Sequence, residues 1–140
     1  MSQARQWPSD WRSRIEALAD ALNARDFEAV GRAPLEPELE WRSVLAASEG
    51  GSYRGVEGVR QWSENVDAIW DAFRLELSEL HEADESRTVT VYRITGRAKA
   101  SGVPLDARVA LVWTWRRGKV CGIVSYTNPA EALEAVGLRE

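Results

Sequence analysis

Glu79 and His81 are the acid–base pair whose spacing bears most directly on chemistry. Two apart in an extended segment, their side chains point to one side, where a carboxylate can orient an imidazole acting as general base. The inward series begun by Leu75 and Leu77 would carry both groups into the interior. A bulge that turns Leu80 inward would send both to the surface, and Leu80 favours that arrangement. Arg42 offers a planar fork of donors, suited to an anionic or carbonyl ligand if it points inward and to a surface Glu if it does not. Tyr92 and Ser125 are expected on an inner sheet face, to orient a ligand carbonyl or to bond to backbone. Cys121 is expected on an inner strand as a small buried hydrophobe rather than a nucleophile, since no activating neighbour is evident.

Composition removes several other chemistries. One Cys and one His in 140 residues exclude an internal disulfide and an all-Cys/His zinc site, and no metal or cofactor is implied. The chain contains neither a phosphate-loop nor a nucleophile-elbow motif. A net charge of −4, without any Lys/Arg block, argues against nucleic acid as a partner. There is no 18-residue apolar run for a membrane span and no signal-like apolar stretch over Met1–Trp11. The expectation is one domain over residues 1–140, soluble and cytoplasmic. Sixteen of the eighteen basic residues are Arg, a bias pointing to a GC-rich bacterial genome.

The elements that must position these residues follow from periodicity. Pro8-Ser9-Asp10 starts a helix on which Trp11, Ile15, Leu18, Ala19 and Leu22 share a face, and Phe27–Val30 adds a short turn of helix. Gly31, Pro34 and Pro37 predict a loop, Leu39–Leu45 a strand and Glu49–Ser52 a turn. Helical spacing continues from Gly55 to Phe73, with Val59, Trp62, Val66, Ile69, Trp70 and Phe73 on one side. The period then changes to two, predicting strands at Arg74–Glu82, Arg87–Ala100, Leu105–Trp115 and Lys119–Thr127. Asn128, Pro129, Glu131 and Gly137 bracket a closing helix.

Alternation also assigns faces. A loop at 101–104 pairs Ala98 with Ala107, Ile94 with Leu111 and Tyr92 with Trp113, so both apolar sets share the inner face. A two-residue shift preserves that outcome and a one-residue shift destroys it. For the last hairpin a two-residue Arg-Gly turn is an alternative, but the commoner three-residue Arg116-Arg117-Gly118 loop puts Cys121, Ile123 and Ser125 inside, and Val120, Val124 and Tyr126 outside with Ala110 and Val112. So apolar an outer face wants a cover, most simply a second copy in a homodimer. Trp62, Trp70, Trp113 and Trp115 belong to buried faces, while Trp7 and Trp11 pack the first helix down.

This order of elements carries Glu40-Trp41, Tyr53-Arg54-Gly55-Val56-Glu57-Gly58-Val59, Ser101-Gly102-Val103, Val112-Trp113-Thr114, Gly118-Lys119-Val120, and Tyr126 followed by Glu131–Leu138. With these residues the chain resembles the SnoaL-like branch of the NTF2-like superfamily. The resemblance implies an α+β cone, a curved and mostly antiparallel sheet wrapped around about three helices, with a pocket between them and frequent homodimers. It also implies a general-base carboxylate near Arg42 and a proton-donating acid near Leu111 in isomerase-like members, roles that Arg and Leu cannot fill. The Arg-x-Asp of epoxide-hydrolase-like members is missing from Arg97-Ala98-Lys99 and Arg108-Val109-Ala110. The resulting expectation is a small hydrophobic or aromatic ligand held by Arg42, Trp62, Tyr92, Leu111, Trp113, Ile123 and Ser125, with ring closure or proton transfer as the chemistry, if any. It requires an interior cavity of ligand size. The alternatives are an acid–base enzyme using Glu79 and His81, and a non-catalytic interaction module acting through its sheet face or pocket mouth.

Overall fold

A computed structural model describes residues 5–42 and 52–138. Helix α1 (Trp11–Ala24) buries Trp11, Ile15, Leu18, Ala19 and Leu22 along its expected stripe. Trp7 and Trp11 meet at 6.0 Å and anchor its start. Their indole N–H groups donate to the Asp84 carbonyl and the Glu82 carboxylate. Helix α2 (Phe27–Gly31) begins at Asp26, whose carboxylate accepts from the Ala29 amide.

Strand β1 (Leu35–Arg42) starts earlier than the prolines suggest. Its ladder with the last strand skips from Leu35 to Glu40, so the missing N–H of Pro37 costs no ladder bond. The end of the strand expected at Leu39–Leu45, and all but Ser52 of the turn expected at Glu49–Ser52, lie outside the described residues. A short strand not anticipated from periodicity, β2 (Ser52–Arg54), leads directly into helix α3 (Gly55–Ile69). Gly55 has φ +66°, and a Cβ there would lie 2.6 Å from the Pro37 carbonyl oxygen. A Cβ on Gly58 would come within 3.0 Å of Tyr53. The Tyr-Arg-Gly-x-x-Gly pattern is thus a packing device that seats α3 against β1 and β2.

α3 stops four residues short of the expected Phe73, because Trp70 takes extended geometry and opens β3 (Trp70–Glu82). Ile69 is consequently exposed and Trp70 only half-buried. Phe73 still turns inward, after a bulge in which Ala72 has φ +53°. The remaining elements are β4 (Arg87–Ala98), β5 (Pro104–Arg116), β6 (Lys119–Tyr126) and α4 (Pro129–Ala135). Asn128 caps α4 through the Ala130 amide, and Gly137 follows at φ +82°. The six strands form one sheet, ordered β2-β1-β6-β5-β4-β3. Among the described residues only the β1–β6 pair is parallel, giving an α+β cone with α1, α2 and α3 on the inner side.

Two registers differ from expectation. The β4–β5 turn is wider, so Tyr92 pairs with Val109, Ile94 with Ala107 and Thr88 with Trp113. The displacement is four residues, and an even slip keeps the inner face. At the next turn Arg116 pairs with Lys119 around Arg117 and Gly118, whose φ values of 54° and 80° mark a two-residue mirror-image turn. A bulge at Cys121 restores the face assignment beyond it: Ile123 and Ser125 lie inside opposite Trp113 and Leu111. Val120, expected outside, is therefore fully buried against the inner core opposite Trp115, and Cys121 is half-buried at the bulge. The cover expected from a second copy is supplied by α4. Ala132, Leu133 and Val136 pack on Val89, Val91, Ala110 and Val112, leaving Val124 39% exposed. No helix among the described residues is long and apolar enough to cross a membrane.

Candidate functional site

An internal void lies between α1, α3 and the sheet. Leu18, Ala19 and Leu22 reach it from α1, Val59 and Trp62 from α3, and Trp41, Tyr92, Leu111, Trp113, Ile123 and Ser125 from the strands. Six of the seven residues expected to hold a ligand therefore converge: Trp62, Tyr92, Leu111, Trp113, Ile123 and Ser125. Arg42 does not. Trp41 faces inward, so its strand neighbour Arg42 faces away, opposite Val124, with Glu40 3.6 Å from its guanidinium.

One end of the void is an aromatic wall. Trp41 and Trp62 lie 4.7 Å apart, and Trp62 meets Phe73 edge-on at 5.9 Å. The indoles bring their own partners. Trp41 donates to Ser125 Oγ at 3.3 Å, Trp113 to Thr90 Oγ1 at 2.8 Å and Trp115 to Thr88 Oγ1 at 2.9 Å. Thr88 and Thr90 are fully buried, and these bonds satisfy their hydroxyls as acceptors. Burial pushes the Tyr92 phenol well above its usual range, only partly offset by hydrogen bonding with Thr90. It remains a neutral donor at physiological pH.

The void itself is small, about 30 Å³. That is room for roughly one water, against the ~300–1,000 Å³ of typical small-molecule sites. The expectation of a ready-made cavity of ligand size is not met, because the buried side chains of Leu18, Leu22 and Val59 close in on it from the helices and those of Trp41, Tyr92 and Trp113 from the sheet. Among the described residues no Asp, Glu, His, Lys or Arg lines it.

Glu79 and His81 stand elsewhere. A bulge at Ser78 turns Leu80 inward opposite Thr90 and sends Glu79 and His81 to the outer side, opposite Val91 and Val89. The arrangement in which the pair enters the interior does not hold. His81 Nε2 lies 2.9 Å from Glu79 Oε1, and Arg108 donates to the other Glu79 oxygen. Both line an open groove shared with Arg12, Leu133 and Leu138. No group of three or more His, Cys, Asp or Glu side chains able to hold a metal occurs among the described residues.

Leu18, Ala19, Leu22, Leu35, Trp41, Val59, Leu75 and Val109 complete the lining and were not singled out from the sequence. The α1 residues were legible as an apolar stripe, but nothing in spacing distinguishes side chains that border a void from those that fill one.

A family model described as a SnoaL-like domain matches residues 15–123. Solved structures share the fold. An NTF2-like protein from Burkholderia thailandensis is 25% identical, with a TM-score of 0.70 over 88% of this chain and 94% of that one. An NTF2-like protein of unknown function from Burkholderia pseudomallei is 21% identical, with a TM-score of 0.73 over 93% and 99%. A protein with a ketosteroid isomerase-like fold from Catenulispora acidiphila, solved in complex with trimethylamine, is 17% identical, with a TM-score of 0.69 over 94% and 95%. Comparison with the curated proteins finds no match.

Proposed function

Because the chain belongs to the SnoaL-like domain family, we propose that it binds a small apolar or aromatic molecule in the interior between α1, α3 and the sheet. The observation that supports this most is the lining: apolar and aromatic side chains from both layers converge on one void, with the hydroxyls of Tyr92 and Ser125 as its polar side-chain groups besides the indoles. A planar arene needs more than the space present, so the α1 side chains must move aside on binding. Any chemistry, such as ring closure of a polyketide-like substrate, rests on holding a reactive conformer. No lining group among the described residues exchanges a proton near neutral pH.

Thermal unfolding with a neutral arene, 2-naphthamide, tests the reading. At a hundredfold excess over Kd, linkage gives about 2.7 kcal/mol of stabilisation, or an upward shift of roughly 9 °C for a chain of this length. Ala19→Leu, which fills the void, should abolish the shift. A shift that survives this substitution, or none in the parent protein, would contradict the reading.

The exposed Val124 on the outer sheet face favours a second reading, an interaction module or homodimer acting through that face. It predicts concentration-dependent association in sedimentation, abolished by Val124→Lys.

A further inference from the structure

The void alone is too small for any organic ligand, yet it is not isolated. On the far side of α1 lies a groove of about 260 Å³, formed by Arg14, Ala17, Leu18, Ala29, Arg32, Ala33 and Pro34. Leu18 lines both the groove and the void, so there the wall between them is one side chain thick. Pro34 borders the groove while its neighbour Leu35 borders the void, placing the start of β1 beside the same wall. Joined, the two spaces approach the ~300 Å³ lower bound of small-molecule sites. Leucine on a helix has two common χ1 settings, so displacing this wall requires a rotamer change rather than unfolding.

The groove also has a chemical character that the void lacks. Among the described residues its lining includes two guanidiniums and no acid. Among the described residues each is engaged in a surface pair: Arg14 with Asp10 at 2.8 Å and Arg32 with Glu28 at 3.4 Å. All four side chains of these pairs are largely exposed, so an arriving anion competes against screened, flexible partners. Ala17, Ala29 and Ala33 keep the floor between them low.

We propose that the α1–α2 groove is the entry to the interior, that Leu18 is its gate, and that the ligand is an amphipathic anion. Its apolar body passes Leu18 towards Trp41 and Trp62, while its carboxylate stays at the mouth on Arg14 and Arg32. This deepens the binding reading above and rests on it. Bidentate guanidinium–carboxylate pairing supplies selectivity at the mouth, and the aromatic wall supplies apolar contact within.

The test compares 2-naphthoate with neutral 2-naphthamide by tryptophan fluorescence titration at low ionic strength. The expected result is about tenfold tighter binding of the carboxylate. Arg14→Gln with Arg32→Gln should erase that advantage without changing affinity for the amide, and 0.5 M salt should erase most of it. Ala17→Trp, which covers the groove from outside without entering the core, should slow association of both compounds at least tenfold. Equal affinity for the two compounds, or an advantage that survives the double Arg substitution, overturns the anion assignment while leaving the interior site standing. Unchanged association rates in the Ala17→Trp protein overturn the entry route. If neither compound binds the unaltered protein, the binding reading falls as well.

Discussion

Truncating Leu22 to Ala asks the interior directly whether it is a site or merely a core. Leu22 is buried on α1 and lines the void, which already measures about 30 Å³. The truncated side chain therefore leaves a space adjoining an existing gap, with little left to collapse into it. For such a site the cost is about 3–4 kcal/mol, comprising lost transfer free energy and residual cavity. An unfolding entropy of about 2.1 cal/mol/K per residue amounts to roughly 0.3 kcal/mol/K for this chain, so Tm should fall by about 10–14 °C. The enlarged space should admit benzene, as apolar cavities of about 150 Å³ do. Benzene at a hundredfold excess over Kd should then restore about 2.7 kcal/mol. Leu133→Ala supplies the control, since Leu133 is likewise buried but sits on α4, packed against the outer face of the sheet. It should destabilise comparably and gain nothing from benzene. Calorimetry reads both effects. A fall of less than 3 °C for Leu22→Ala, or equal rescue of the two variants, would refute the reasoning.

Two further outcomes follow from the scaffold. Asp84 holds the β3–β4 turn by accepting from the Ser86 and Arg87 amides and from the Arg87 guanidinium. Burial pushes its carboxyl up, but the hydrogen bonds from Arg87 and Ser86 outweigh this and keep it below the usual range. A lowered folded-state pKa contributes stability above the unfolded value of about 3.9 that is lost as pH falls through the folded one. Asp84→Asn should therefore cost about 1 kcal/mol at pH 7, discounted for partial exposure, and the gap to the parent protein should close below about pH 4 in urea titrations. Gly55→Ala should cost about 2 kcal/mol or more, because it combines a left-handed backbone with a Cβ pressed on the Pro37 carbonyl. Chemical denaturation measures that loss, and a neutral outcome would show that β1 yields there.

The legible parts of this protein were those written in periodicity. The α1 stripe, the α4 caps and the inner face of β4 and β5 follow from spacing, and the face survived a register four residues out because only parity matters. What misled was local competition. The helical period ran on through Trp70 and Phe73, but strand pairing of Trp70 with Ala98 prevailed and a bulge recovered the burial of Phe73. The Arg117-Gly118 turn was tighter than expected, and a bulge at Cys121 compensated, which moved Val120 inside. Six of the seven residues expected at the site converge because inward strand positions could be counted. Arg42 was misplaced because its direction depends on which neighbour turns inward, and Trp41 took that position. The size of the void was not legible, since it depends on how Leu18, Leu22 and Val59 interlock. The surface groove behind Leu18 depends on the placement of α2, which no periodicity records.

The central claim is that the space between α1, α3 and the sheet receives a ligand, and methyl-resolved NMR tests it most directly. Titrating 2-naphthamide into protein labelled at Leu, Val and Ile methyls should give saturable shifts at Leu18, Leu22, Val59, Leu111 and Ile123, with Val89, Val91 and Val136 on the outer face unmoved. Shifts confined to the outer-face methyls, or none at saturating probe, would contradict it.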